Sequence, residues 1–213
     1  MPQIKDSLYE QLNPLTTVTG QHFVEDFSGD TLDTFRWTFA DINGSNTSEM
    51  GDSIDGGYQI TTAGADGNSG IISFNDVRPF DPTGNVLISI FKKNIELSAA
   101  IGGLVSVDSF LHPTTECAVV RNGSTSTKIA LLTGDASTTT ATDSSIDDSI
   151  TFHIFKVECN STNVKQTIDG VLEIVKTTNK PTVKLQPFFG VQKRSGAGAV
   201  VYNQTYCEAW NTA

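Results

Sequence analysis

Positively charged residues are scarce in this chain. It has 14 lysines and arginines against 24 aspartates and glutamates, so its formal net charge at pH 7 is −10. A negative surface repels the phosphate backbone of nucleic acids, whereas proteins that bind DNA or RNA use lysine and arginine to neutralise it. We therefore expect no nucleic-acid partner.

Long apolar runs are also lacking. No run approaches the ~20 apolar residues of a membrane-spanning helix. The first residues, MPQIKDSLYEQ, do not have the charged-then-apolar order of a secretory signal. We expect no membrane partner and no secretion signal.

Cysteine is rare, with three residues that show no Cys-x-x-Cys or Cys/His ligand spacing. Cys117, Cys159 and Cys207 each lie within an apolar or alternating run. We predict free thiols that pack like small apolar side chains, with one disulfide among them as the alternative.

What the chain does have, from Phe23 onward, is a series of short β-type runs separated by Gly, Asn, Asp and Pro. The 213 residues suit one large domain, and the spacing of the runs is that of an all-β sandwich. Asp169-Gly170 and Asn122-Gly123 predict two tight hairpins. SITFHIFKVEC, with apolar residues on both faces, predicts a strand in the middle of a sheet. The polar run 133–149 predicts a long exposed loop or loose hairpin tip.

Residues 1–22 form a separate segment. Ile4, Leu8 and Leu12 are spaced four apart and could form a short helical stripe, which Pro14 and the following TTVTGQ would stop. Two interpretations remain open, a frayed tail and an arm that packs its apolar side on a neighbouring subunit. We predict an N-terminal arm over 1–22 and a sandwich over 23–213.

A catalytic constellation is not evident. Glycoside hydrolysis needs two carboxyl groups across the scissile bond, and no two glutamates lie within five residues of each other. His22, His112 and His153 show no nucleophile pattern. The oxygen-rich DINGSN, 41–46, and the acidic run near Asp147 match no complete calcium loop. We therefore predict no catalytic, cofactor-binding or metal-binding residue, with calcium as the alternative to no cofactor.

Few residues of this chain are of the aromatic types that could form a flat surface for binding a sugar ring. The spacing of Phe35, Trp37 and Phe39 places them on one strand face, and the same holds for Tyr202, Tyr206 and Trp210, which favours burial of both sets. The candidates for a sugar platform are Trp37, Tyr58, Tyr202, Tyr206 and Trp210.

The stretch EDFSGDTLDTFRWTF, 25–39, resembles the first strand and turn of concanavalin A-like lectin/glucanase domains. FHIFKVECNSTNVKQTIDGVLEIV, followed by PFFGVQ and a last aromatic strand, is similar to a later passage of the same superfamily. The resemblance implies a jelly-roll sandwich of two antiparallel sheets, with Phe27, Leu32, Phe35 and Trp37 in or near the core. Retaining glucanases of this class carry Glu-x-Asp-x-x-Glu on one strand, and this chain has no such string.

A narrower likeness lies in GGYQITTAGADGNSGIISFNDVRPFDPTGNVLISIFKKN, 56–94. It resembles structural proteins of tailed bacterial and archaeal viruses. The resemblance implies a role on the virion exterior, as a capsid decoration protein or a tail or fibre subunit.

We therefore predict a non-enzymatic structural protein that assembles as a homo-oligomer or with a major capsid or tail protein, through the arm residues Ile4, Leu8 and Leu12 and through its sheets and loops. Its location would be the virion, after synthesis in the host cytoplasm. The alternatives are a lectin-like module that binds surface glycans for host attachment and a glycoside hydrolase whose carboxylates come from distant strands.

Overall fold

The computed structural model describes residues 21–44, 46–50, 57–75, 77–95, 98–106, 116–123, 127–194 and 198–212. The secondary structure of these residues consists of fifteen β-strands. Over the same ranges, nothing forms a helix of the length and apolar character that crossing a membrane requires.

The first sheet, sheet A, has eight strands. Its order is β13-β12-β11-β6-β15-β4-β3, and β1 pairs with the end of β15 that β4 leaves free. All pairings are antiparallel. The strands are β1 His22–Glu25, β3 Thr47–Met50, β4 Tyr58–Thr61, β6 Gly84–Lys93, β11 His153–Asn160, β12 Val164–Ile168, β13 Val171–Lys176 and β15 Val201–Asn211.

The second sheet, sheet B, has seven strands in the order β10-β9-β8-β7-β14-β5-β2, again antiparallel throughout. The strands are β2 Thr38–Ile42, β5 Ser69–Ser73, β7 Ala99–Val105, β8 Cys117–Asn122, β9 Lys128–Gly134, β10 Thr139–Asp147 and β14 Gln186–Gln192. The predicted fold class, an all-β sandwich of two antiparallel sheets, is confirmed.

The core lies between the sheets and takes alternate residues from each strand, because successive side chains point to opposite faces. On sheet A, Phe91 stacks on Phe155 with a ring-centroid distance of 4.4 Å and lies 5.4 Å from Tyr202. On sheet B, Val120 and Phe189 belong to the same buried cluster.

A second apolar cluster covers the opposite face of sheet B. Its buried members include Ile101, Val119 and Phe188. Because sheet B is buried on both faces, all seven residues of β7 and all six of β8 are buried. Such strands read as continuous apolar runs instead of alternating ones.

Two hairpin predictions have different outcomes. Asp169 and Gly170 join β12 to β13 with φ of 49° and 85°, as a two-residue turn with both central residues left-handed requires. This prediction is confirmed. The strands on either side of Asn122-Gly123 are antiparallel neighbours, but β8 includes Asn122 and β9 starts only at Lys128. The Asn-Gly pair therefore does not form a two-residue turn.

The prediction of a long exposed loop or loose hairpin tip over 133–149 is wrong for most of this run, since only residues 135–138 connect β9 to β10. Residues 139–147 form β10, the edge strand of sheet B, which pairs with β9. Five threonines and serines make this strand polar, and only one of its nine residues, Ser144, is buried. The prediction for SITFHIFKVEC is confirmed, because β11 lies between β12 and β6.

A candidate functional cleft beside Trp37

A cleft of about 670 Å³ opens on the side of the sandwich where β2 and β3 form the edges of the two sheets. The volume is within the range of small-molecule sites. Its walls come from the connection between β1 and β2, from the start of β2, from β3 and from the first residue of β4. The lining residues are Asp30, Thr31, Leu32, Thr34, Trp37, Thr38, Phe39, Ser48, Glu49, Met50 and Tyr58.

A turn at Asp33 shapes one wall of this cleft. The carbonyl oxygen of Asp33 accepts hydrogen bonds from the backbone N–H groups of Arg36 and Trp37, at 3.0 and 2.9 Å. Its side chain accepts one from the N–H of Phe35 at 3.0 Å. The turn directs Trp37 into the core, where it is 1% exposed, and leaves Phe35 81% exposed.

The expectation that Phe35 belongs to the core is therefore wrong. It assumed that a strand already runs through 35–39, but β2 starts at Thr38. Phe27 and Trp37 are buried as expected, and Leu32 is partly buried against the core.

A partly buried hydrogen-bond network around Glu25 holds the Trp37 indole in place. Its indole N–H donates to Oε2 of Glu25 at 3.3 Å, and the N–H of Phe27 donates to Oε1 at 3.2 Å. Burial raises the pKa of the Glu25 carboxyl, although these two hydrogen bonds and Arg36 act in the opposite direction. Burial also raises the pKa of Tyr58 to about 12, so its phenol stays protonated at neutral pH.

Asp30 and Glu49 are the carboxylate residues of the cleft, and both are exposed. Asp30 lies in the connection between β1 and β2, and Glu49 lies on the edge strand β3. They are distant along the sequence and line one cleft because β2 and β3 border the same opening. Sequence spacing could not reveal that they share a cleft.

No described strand carries carboxylates in the order Glu-x-Asp-x-x-Glu. The continuous strand β8 presents Cys117, Val119 and Arg121 on the side of sheet B that faces away from sheet A. In the parts of the chain that the structure describes, no three His, Cys, Asp or Glu side chains are grouped so as to hold a metal ion.

The two described histidines lie on different strands. His22 begins β1, and its Nε2 lies 2.6 Å from Oε1 of Glu208. His153 begins β11, and its Nδ1 lies 2.6 Å from Oδ2 of Asp169 in the turn after β12. His112 and the arm residues Ile4, Leu8 and Leu12 lie outside the described residues.

The aromatic candidates fall into two sets. Trp37, Tyr58 and Tyr202 are at most 1% exposed, whereas Tyr206 and Trp210 are partly exposed. The expectation that Tyr202, Tyr206 and Trp210 share a face is wrong, because the register of β15 against β6 shifts between Gln204 and Tyr206. An extra residue in one strand reverses the alternation beyond it.

Comparison with known proteins gives a fold but not a family. No protein-family model matches the chain, and neither does any curated protein sequence. Solved structures do match. The β-glucanase of Bacillus licheniformis is 13% identical with a TM-score of 0.62, covering 92% of this chain and all of that one.

Two further structures give the same result. The laminarinase catalytic domain of Thermotoga maritima is 15% identical with a TM-score of 0.61, covering 90% of this chain and 97% of that one. The Crh5 transglycosylase is 12% identical with a TM-score of 0.62, covering 90% and 85%. The chain therefore has the concanavalin A-like jelly-roll fold.

These findings correct the prediction of a non-enzymatic structural protein. The three similar structures named above are a glucanase, a laminarinase catalytic domain and a transglycosylase, all named as enzymes. The missing Glu-x-Asp-x-x-Glu string led to that prediction, because it was sought along a single strand. A cleft formed between two sheet edges can collect its carboxylates from separate elements.

Proposed function

We propose that this protein is a carbohydrate-active enzyme that binds a glycan in the cleft beside Trp37 and acts on its glycosidic bonds by hydrolysis or transfer. The observation that carries the proposal is that Asp30 and Glu49 line the same cleft as three aromatic residues, Trp37, Phe39 and Tyr58. The likeness in fold to enzymes that process glycans supports it.

The chemistry requires one carboxyl group that donates a proton to the leaving oxygen and a second that acts as nucleophile or as base towards water. Asp30 and Glu49 supply the two groups. The partly exposed ring of Phe39 and the hydroxyls of Thr31, Thr34 and Ser48 give the mixed apolar and polar lining that a sugar ring needs, and the buried Trp37 supports them from the core.

The experiment is a turnover assay on mixed-linkage β-glucan, laminarin and mucin-type O-glycans, with new reducing ends and transfer products detected by mass spectrometry. We expect the wild-type protein to process at least one of these glycans. Glu49→Gln and Asp30→Asn should each lower kcat by at least about a hundredfold, because each removes a proton-transfer or nucleophilic group.

The matched control is Glu158→Gln, a carboxylate on β11 that pairs with Lys156 at 3.2 Å and does not line the cleft. It should leave turnover unchanged. The proposal is wrong if the wild-type protein processes none of the glycans, or if both cleft variants turn over at the wild-type rate.

From the narrower resemblance to structural proteins of tailed viruses, we propose that the protein is located on a virus particle. A carbohydrate-active protein on a virus particle would act on glycans of the host surface, and its partners would be other copies of itself or a capsid or tail protein. Copurification with virus particles tests the location, and deletion of residues 1–20 tests whether Ile4, Leu8 and Leu12 provide the attachment.

A further inference from the structure

A group of polar and aromatic side chains lies on the outer face of sheet A and shares no residue with the cleft. It consists of His22 on β1 and Tyr206, Glu208 and Trp210 on β15, and we refer to it as the outer patch. The bulge in β15 turns Tyr206, Glu208 and Trp210 away from the core, while the intervening Cys207 and Ala209 are buried.

The pairing of β1 completes the outer patch. His22 is the Cα partner of Trp210, and Val24 is the partner of Glu208. The rings of His22 and Trp210 form a T-shaped pair with a centroid distance of 6.1 Å and an interplanar angle of 90°. The indole therefore has a ring neighbour on β1 and is only partly buried.

Glu208 links the members of the outer patch. Its Oε1 lies 2.6 Å from Nε2 of His22, and its Oε2 accepts a hydrogen bond from the Tyr206 hydroxyl at 2.7 Å. A carboxylate has about four acceptor positions, so two remain for ligand hydroxyls. The side chains of His22 and Glu208 are 51% and 24% exposed, so both are accessible to a ligand.

The electrostatics of the outer patch select a neutral ligand. Burial and the hydrogen bond to Glu208 raise the pKa of Tyr206 to about 12, so the phenol is uncharged. Asp26 also lies near enough to raise this pKa. Two carboxylates on a protein of net charge −10 repel phosphate, sulfate and uronate groups.

From this geometry we propose that the outer patch is a second glycan-binding site, specific for a neutral polysaccharide chain. A pyranose ring packs on Trp210, and its hydroxyls donate to Glu208 and exchange hydrogen bonds with His22. Aromatic contact with the apolar face of a ring, together with a few fixed polar groups, is the combination that such a ligand needs. The site would hold a long substrate on the protein whether or not the cleft acts on it.

The experiment measures retention on immobilised mixed-linkage β-glucan, galactan, xylan and mannan, with heparin as the anionic comparison. We expect the wild-type protein to bind at least one neutral polysaccharide and not heparin. Trp210→Ala should weaken binding at least about tenfold, the loss that a central aromatic anchor usually causes. Trp210→Phe should retain more of the binding than Trp210→Ala because it keeps a ring.

Two further variants distinguish the loss of a binding residue from misfolding of the protein. His22→Ala removes an exposed side chain and should also weaken binding, whereas Leu172→Ala, on β13 and 55% exposed, should not. Trp210→Ala should leave turnover of short oligosaccharides in the cleft unchanged, and Glu49→Gln should leave polysaccharide retention unchanged, so the two proposals fail separately. Binding of heparin, no binding of any neutral polysaccharide, or wild-type binding by the folded Trp210→Ala and His22→Ala variants would overturn the inference.

Discussion

Trp37 connects the cleft to the core. Its ring lies 5.4 to 5.8 Å from the rings of Phe23, Phe27, Phe74 and Phe189. These residues come from both sheets and from the chain after β1, so the indole forms a rigid wall of the cleft. A site with rigid neighbours keeps its geometry better than one on a free loop.

The three cysteines are buried and are free thiols, as their sequence context predicts. Burial raises the pKa of Cys117 and of Cys159 to about 12, and it also raises the pKa of Cys207. At pH 8 only about one thiol in ten thousand would be a thiolate at such a pKa. The thiols are therefore unreactive for two reasons, inaccessibility and protonation.

We predict that Ellman's reagent at pH 8 labels none of the three cysteines in the native protein within minutes and labels all three after unfolding in guanidinium chloride. Global unfolding limits the native reaction, so its rate should rise with denaturant. Rapid labelling of any thiol without denaturant would contradict the burial of that residue.

Among the strands, β15 joins three others, β1, β4 and β6. Its first half pairs with β4 and its second half with β1, and β6 runs along the other side of both. The bulge separates the two halves and changes which residues face the core. One strand therefore contributes Tyr202 to the core and Trp210 to the outer patch.

The β12–β13 hairpin offers a test of turn chemistry. Gly170 has φ of +85°, and a Cβ added there would meet nothing within 4 Å, so only the backbone conformation resists substitution. We predict that Gly170→Ala lowers the free energy of unfolding by about 1 kcal/mol, since a left-handed conformation costs an L-residue about that amount. Denaturant titration measures the change.

Gly64→Ala is the matched control for this prediction. Gly64 also has open space around its Cβ position but does not have a positive φ. This substitution should be neutral or slightly stabilising, because alanine restricts the unfolded chain. Equal effects of the two substitutions would show that the turn conformation does not determine the stability of the hairpin.

At the scale of the whole molecule, a buried lysine fastens the two sheets at one end. Lys93 is the last residue of β6 in sheet A. Its Nζ donates to the carbonyl oxygens of Ser98 and Asn122, at 2.5 and 3.0 Å, next to β7 and β8 of sheet B. It also pairs with Asp148 at 2.5 Å, and the two side chains are 0% and 5% exposed.

We predict that Lys93→Met lowers the free energy of unfolding by about 3–5 kcal/mol, because it leaves the Asp148 carboxylate buried without its ion-pair partner. The double variant Lys93→Met/Asp148→Leu should recover much of that loss, since no charge stays buried. Both values come from denaturant titration at neutral pH.

Lys128→Met is the comparison for the exposed case. Lys128 and Asp147 form an ion pair at 2.7 Å, with side chains 36% and 78% exposed. An exposed pair contributes less than about 1 kcal/mol. If Lys93→Met is no more destabilising than Lys128→Met, the buried pair does not fasten the sheets.

The sequence was sufficient for the fold class. The short β-type runs, the turn residues between them and the Asp-Gly hairpin are local signals, and local backbone preferences survive in the folded chain. The same signals failed at β10, where a polar strand looks like a loop, and at Phe35, where a turn interrupts an apparent strand. Both errors concern positions where the strand partner or the turn hydrogen bonds decide the outcome.

The candidate site could not be predicted from the sequence. Asp30 and Glu49 line one cleft only because the edges of two sheets border it, and His22 reaches Trp210 only because β1 pairs with the end of β15. The one-residue bulge that exposes Trp210 leaves no local signal that distinguishes it from regular alternation. By itself the sequence determined an acidic, cysteine-poor, all-β chain with thiols in its strands. The tertiary structure decided which side chains meet, because strand pairing and register join residues that are far apart along the chain.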